Sequence, residues 1–387
     1  MKLVVDGLIF QKDPHGGIAR LFREVLPRLC VLAPDLSITL ILDGPVRAEL
    51  PTHPQITLQH LPSVRLTLSP HGIARRLIFP LRRLASRTWD FTRQLWLGSG
   101  KGAIWHSTYY TLPKIWDGPQ VVSVYDMTHE RYPLQFNDPM DELGRQQKRR
   151  CVEHASAVIC ISESTRKDLM QFYPVASSLL HVIHLAPGEV FRQLEIDQTK
   201  ISGLPEEPFF LYVGARHFYK NFSRLIEVYQ NWEGRSQVNL LTIGPPWTTE
   251  ERQLLRNSGL GERVRLMRHI DDLTLCKLYN CALALIFPSL AEGFGIPLLE
   301  AMACGCPVIA SSIPSTQEVA GDCPYYFDLS DPATWLPAFD QALADGRGSP
   351  RVQAGLQRVK LFSWENTALQ MLEVYRKVCS TSAPHTE

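Results

Sequence analysis

Residues 282–310 read ALALIFPSLAEGFGIPLLEAMACGCPVIA. The apolar run from Ala282 to Phe287 is a buried strand that stops at Pro288, because proline has no N–H for a sheet ladder. Ser289–Gly295 forms a loop, and a helix starts near Pro297, where proline suits a first helical position. A second apolar run, Pro307–Ala310, follows the helix, and strand–helix–strand in this order predicts two parallel strands joined by a crossover. Glu292 falls in the loop and Glu300 one turn into the helix. Gly293 and Gly295 let the backbone come close to a ligand, and the free N–H groups at the helix start favour an anion such as a phosphate. Glu300 can accept two hydrogen bonds from a vicinal diol, and Glu292 can do the same for sugar hydroxyls.

The same alternation extends in both directions. Strands are expected at Leu3–Phe10, Ile38–Leu42, Ala103–His106, Gln120–Tyr125 and Ala157–Ile161, then at Phe209–Val213, Asn239–Ile243 and Val264–Leu266. Between them lie amphipathic helices. Ile18, Leu21, Phe22, Val25, Leu26 and Leu29 share one helical face. The polar, proline-containing stretch 187–208 splits the strands into two series and reads as a linker. The expected fold is therefore α/β, with two Rossmann-like parallel-sheet domains facing each other across a cleft that takes the ligand.

Composition excludes several classes. The 387 residues are 45% hydrophobic and 20% charged, with a formal net charge of +1, as in an ordinary globular protein and unlike a nucleic-acid binder or a multi-span membrane protein. Residues 1–196 carry 23 Lys/Arg against 18 Asp/Glu, and the rest 17 against 21, so the first half is basic. The nine cysteines form no CxxC pair and most sit in apolar runs, as reduced thiols of a cytoplasmic protein would. MKLVVDGLIF reads as a first strand rather than a signal peptide, and no apolar run reaches about 18 residues.

At this point the chain resembles a known family. Residues 292–308 are similar to the EGFGxPxxEAMAxGxPV signature of family-4 glycosyltransferases, which have the GT-B fold and retain anomeric configuration. YVGARHFYKNFSRLIEVY (212–229) resembles the family's segment with an arginine and a lysine four apart, here Arg216 and Lys220. HGGIARLFREVL resembles its glycine-rich loop and first helix, with Gly16 and Gly17, and VICISESTRKDL resembles the segment closing the first domain. FSWENTALQMLEVY resembles the helix that crosses back to the first domain.

The resemblance implies transfer of a sugar from a nucleotide-sugar donor to an acceptor. Residues 1–190 would form the acceptor domain, 200–362 the donor domain and 363–380 the returning helix. Glu300 would hold the donor ribose, Glu292 the donor sugar, and Arg216 and Lys220 the diphosphate, with Gly16, Gly17, Gly293, Phe294 and Gly295 lining the donor site. Arg216, Lys220 and Glu292 are the catalytic candidates. A departing diphosphate gains negative charge, and fixed cations stabilise it without reorganising. No Asp-x-Asp occurs, so two cations are expected to replace a metal clamp, and no cofactor beyond the sugar nucleotide is expected. Where the family often has His-Asp, this chain has Tyr125-Asp126, with His129 close behind; these three are the candidate acceptor or sugar contacts. Same-face attack and double displacement both fit retention, and no nucleophile is assigned. His106 and His269 read as structural.

Residues 50–89 contain no acidic residue but hold Arg65, Arg75, Arg76, Arg82, Arg83 and Arg87 among Leu77, Ile78, Phe79, Leu81, Leu84 and Trp89. Such a segment can lie on an anionic membrane surface, which fits a polyprenyl-linked or other lipid-linked saccharide acceptor and a place on the inner face of the membrane. The resemblance extends to bacterial mannosyltransferases of surface polysaccharide (lipopolysaccharide) assembly, with GDP-mannose as donor. A UDP-sugar donor, a nucleotide-sugar epimerase and a non-catalytic sugar-binding protein are the competing readings. A dinucleotide enzyme is disfavoured because no G-x-G-x-x-G follows the first strand.

Overall fold

A computed structural model describes residues 1–387 except 14–15, 45, 47–48, 62–96, 196–206 and 382–387. The candidate membrane arginines Arg65, Arg75, Arg76, Arg82, Arg83 and Arg87, and the middle of the expected linker, lie outside the described residues.

The first sheet contains β1 (Lys2–Asp6), β2 (Ser37–Asp43), β3 (Ile56–Leu61), β4 (Ala103–Ser107), β5 (Gln120–Val124), β6 (Ala157–Cys160) and β7 (Leu180–Val182). Its order is β3-β2-β1-β4-β5-β6-β7. The second contains β8 (Phe209–Val213), β9 (Asn239–Ile243), β10 (Val264–Met267), β11 (Ala284–Phe287), β12 (Val308–Ser311) and β13 (Tyr325–Phe327), in the order β10-β9-β8-β11-β12-β13. Every pairing is parallel. In both sheets the order reverses beside the first strand, between β1 and β4 and between β8 and β11. Doubly wound sheets bind ligands at such a switch point, beyond the carboxyl ends of the strands.

Two features depart from the sequence expectations. β1 ends at Asp6, and Ile9–Lys12 is a short helix instead of more strand. The buried Asp6 carboxylate explains the turn: it accepts from the Leu8 and Thr108 amides and from the Thr108 hydroxyl at 2.5 Å, pulling the chain out of the sheet. β3, β7 and β13 were not expected. All three are edge strands, and β3 mixes exposed and buried positions, so none shows the continuous apolar run of a strand covered on both faces.

The Gly17–Leu32 helix buries Leu21, Phe22, Val25, Leu26 and Leu29, each worth about 1.5–3 kcal/mol of transfer free energy. The Trp364–Thr381 helix packs against it through Ala368, Met371, Leu372 and Tyr375, and Arg28 pairs with Glu365 at 2.7 Å. Below it the His106 ring, on β4, shares hydrogen bonds with the Tyr375 hydroxyl at 2.6 Å and the Ser123 hydroxyl at 3.0 Å. Burial pushes the His106 imidazole down to about 3, so it is a neutral structural residue.

Candidate active site

The loops after the carboxyl ends of the two sheets meet. A side chain at Gly293 would place its Cβ 1.6 Å from the Tyr125 carbonyl oxygen, so only glycine allows the loop after β11 to lie on the loop after β5. The Ser162 hydroxyl, after β6, donates to the Gly293 carbonyl at 2.6 Å, and the Thr165 hydroxyl donates to it at 3.2 Å. On the same side, the Glu318 carboxylate accepts from the Glu163 and Ser164 amides and shares a hydrogen bond with His184. Gly295 has φ +99° at the start of the Ile296–Ala303 helix, a conformation open to glycine at little cost, and Pro297 stands in its first turn.

Lys220 and Glu292, 72 residues apart, are brought into an ion pair of 2.6 Å at the carboxyl ends of β8 and β11. The Ser289 hydroxyl also donates to Glu292, so the carboxylate is held from two sides. Arg216 is nearby in sequence but differently placed. Its side chain is 2% exposed, gripped by Glu251 and the Pro245 and Pro246 carbonyls, and its guanidinium lies 4.3 Å from the Trp247 ring centroid. Arg216 Nη1 is buried against Gly244, just after β9, with no hydrogen-bond partner among the described residues.

Glu300 is buried, and its partner comes from the first domain: Arg20 Nη1 donates to Oε1 at 2.5 Å, while Arg20 Nη2 donates to Asp272 at 2.7 Å. The Tyr279 hydroxyl donates to the other Glu300 oxygen at 3.2 Å. Burial raises the Glu300 carboxyl above its ordinary range, and Arg20 opposes that rise. Each carboxylate oxygen keeps one lone pair free for another donor.

The first-domain candidates separate. Tyr125 is buried, and its hydroxyl donates to the Thr108 carbonyl at 2.7 Å. Asp126 accepts from the Thr128 amide; burial works against its charge, but Lys148, Thr128 and His129 together hold it below the usual carboxylate range. Lys148 itself is buried, donating to the Asp126 carbonyl and to Glu130. His129 is half-exposed, and burial followed by Lys148 lowers its pKa. Gly16 packs on the Asp13 carboxylate, and Gly17 faces Ile296 at the start of the Glu300 helix. Phe294 is buried in a cluster with the rings of His184 and Phe362, each pair of centroids 5.7–5.9 Å apart.

Sequence reasoning passed over Arg20, Glu251 and Ser162. Arg20 lies in GGIARLF, three residues after the glycine pair, on the polar side of its helix, where it reads as a solvated charge. Glu251 belongs to the Thr248 capping box, a sufficient local explanation for a glutamate there. Among the described residues no group of three or more His, Cys, Asp or Glu is arranged to hold a metal ion, and no helix is long and apolar enough to cross a membrane.

Two facing Rossmann-like domains, each a doubly wound parallel sheet, are the GT-B fold of glycosyltransferases. The chain belongs to the glycosyltransferases: residues 195–353 match the model described as Glycosyl transferases group 1, and residues 69–186 match Glycosyltransferase Family 4. It is 27% identical to O-antigen chain mannosyltransferase B of Escherichia coli, over 94% of this chain and 97% of that one. Its fold is shared with sucrose-phosphate synthase from Thermosynechococcus elongatus, at 20% identity and a TM-score of 0.72 over 98% of this chain and 100% of that one. It is also shared with Anabaena HepE in complex with UDP and glucose, at 16% identity and a TM-score of 0.66 over 97% and 100%.

Proposed function

We propose that this glycosyltransferase moves mannose from GDP-mannose, with retention, onto a saccharide or lipid-linked saccharide in the assembly of a surface polysaccharide. The kinship with O-antigen chain mannosyltransferase B supports the sugar. In this reading residues 1–190 bind acceptor, 200–362 bind the sugar nucleotide, and 363–380 tie the two together. The enzyme works without a metal, from the cytoplasmic side, peripheral to the inner face of the membrane.

One observation carries the reading. Lys220 and Glu292 stand together at the switch point of the second sheet, while Arg216 Nη1 is a buried donor with no partner among the described residues. An unmet buried donor costs about 1–3 kcal/mol, and a diphosphate oxygen would satisfy it. Arg216 and Lys220 then take up the charge of the leaving diphosphate, Glu292 accepts from hydroxyls of the donor sugar, and Glu300 accepts from the ribose. Gly16, Gly17, Gly293 and Gly295 let backbone approach the donor, and Phe294 packs beneath. The acceptor's hydroxyl attacks C1, and its proton passes to the departing phosphate. Asp126 and His129 meet the acceptor side; Tyr125 contributes its backbone.

A second reading keeps the chemistry and changes the base: HepE, which shares the fold, is in complex with UDP and glucose. A melting-point screen against GDP, UDP, ADP and their sugars separates the two, because a ligand of the native state raises the midpoint. Product analysis then tests the activity: GDP released only when a saccharide is present supports transfer. A C2-epimerised donor would establish an epimerase, and binding without release a non-catalytic protein.

A further inference from the structure

Aromatic rings from both domains meet in one wall. From the first domain come His129, Tyr132 and Phe136; from the second, Phe218 and Tyr219. The His129 and Phe136 centroids lie 4.1 Å apart. Phe218 meets Tyr132 edge-on at 5.2 Å and Phe136 at 5.3 Å, and Tyr219 lies 6.2 Å from Phe136.

The rings are fixed at the level of the backbone. Arg145, paired with Glu142, donates to the His129 and Phe136 carbonyls and so holds the 129–136 segment. The Tyr219 carbonyl accepts from the Leu290 amide at 2.7 Å, which ties the Phe218–Lys220 turn to the loop carrying Glu292. Asn221, at φ +58°, ends that turn in the left-handed region. Tyr132, Phe136 and Tyr219 are partly buried by this packing, while Phe218 and the His129 side chain each stay 37% exposed. Exposed apolar side chains fixed beside a reaction centre mark a binding surface.

The neighbours of the wall name its ligand. Tyr219 feels the charges of Glu292 and Asp126, and Lys220 is the next residue along the chain. A hexopyranose has an apolar C–H face and a rim of hydroxyls; aromatic rings suit the face, and carboxylates and imidazole suit the rim. An aliphatic chain would gain nothing from the two carboxylates.

We propose that this wall is the acceptor subsite, with a hexopyranose laid on the exposed Phe218 ring, Phe136 standing edge-on beside it, and its hydroxyls meeting Asp126 and His129. The inference rests on the transferase reading above and adds where the acceptor's sugar is recognised.

The test uses the full chain and saturation-transfer NMR with methyl α-mannopyranoside, mannobiose, glucobiose, galactobiose and methyl β-N-acetylglucosaminide. The wild type should saturate at least one of them, through its C–H protons. Phe218→Ala and Phe136→Ala should weaken that binding about tenfold, and Phe218→Trp should restore it. Where turnover is measurable, the acceptor KM should rise by the same factor while the donor KM stays within twofold. Unchanged binding in Phe218→Ala, an equal rise in donor KM, or no saturation of any probe by the wild type would overturn the proposal. Phe218 is exposed, so its variant carries the test even if Phe136→Ala melts early. If no donor is turned over, the transferase reading falls, while the NMR arm still decides the saccharide wall.

Discussion

Arg20 and Glu300, 280 residues apart, form a 2.5 Å ion pair that joins the Gly17–Leu32 helix of one domain to the donor-side carboxylate of the other. Both side chains are largely shielded from water, at 15% and 6% exposure, so each charge depends on the other. The consequence is that the ionisation of Glu300 is tied to the approach of the two domains.

Removing Arg20 alone should therefore be costly. Arg20→Ala is expected to destabilise the protein by about 3 kcal/mol, because it strands a buried carboxylate. Adding Glu300→Gln should recover part of that loss, and a double-mutant cycle from urea melts measures the coupling. Additive effects would show that Arg20 and Glu300 do not depend on each other. Glu300→Ala should also raise the donor dissociation constant, read by calorimetry with GDP.

Lys220→Ala should act mainly on turnover. The lysine is paired with Glu292 and stands where the diphosphate charge develops, so its loss is expected to lower kcat by about 10²–10³-fold with a smaller change in donor KM. Released nucleotide gives the rate. Full activity in this variant would remove Lys220 from the reaction.

Gly293→Ala should separate the domains. The added methyl meets the Tyr125 carbonyl, and the loop carrying Glu292 must retreat from the first domain. A displacement of about 1 Å in that loop is expected to cost some 10²-fold in turnover. Small-angle scattering should show a larger radius of gyration, and an unchanged radius with full activity would refute the expectation. Ser162→Ala, which removes the hydroxyl on Gly293, should give a milder version of the same effect.

Acid should weaken the junction with the last helix. His106 is neutral in the folded protein down to about pH 3, whereas in the unfolded chain it takes a proton near its ordinary value of about 6.5. Its contribution is thus fully present above about pH 6.5 and is lost as pH falls toward 3; between pH 7 and 5 the loss is about 2 kcal/mol. His106→Gln should flatten the acid limb of a stability–pH curve by about that amount, as measured by urea melts.

How much of this was legible before folding differs by element. Strands covered on both faces, such as β8 and β11, announce themselves as unbroken apolar runs, and the Glu292 loop is readable because proline and glycine punctuate it. The edge strands β3, β7 and β13 are not, because one side meets water and the run breaks, although β10, also at an edge, is readable at Val264–Leu266. Lys220 and Glu292 were separate candidates whose pairing depends on β8 and β11 being neighbours, a relation between strands that no local pattern encodes. Tyr125 looked like a side-chain contact to sugar, yet its hydroxyl is taken by Thr108 and its carbonyl is what reaches the other domain.

The sequence by itself determined the two parallel-sheet series, the helical faces and the carboxylates and cations after the strands, because periodicity, proline and glycine act within a few residues. Only the tertiary structure decided that Arg20 serves Glu300, that Glu251 holds Arg216, and that rings from residues 129–136 and 218–219 share one wall. Those partners sit on polar faces, where a charge or ring reads as solvated until another segment, brought close by strand order and domain contact, excludes the water.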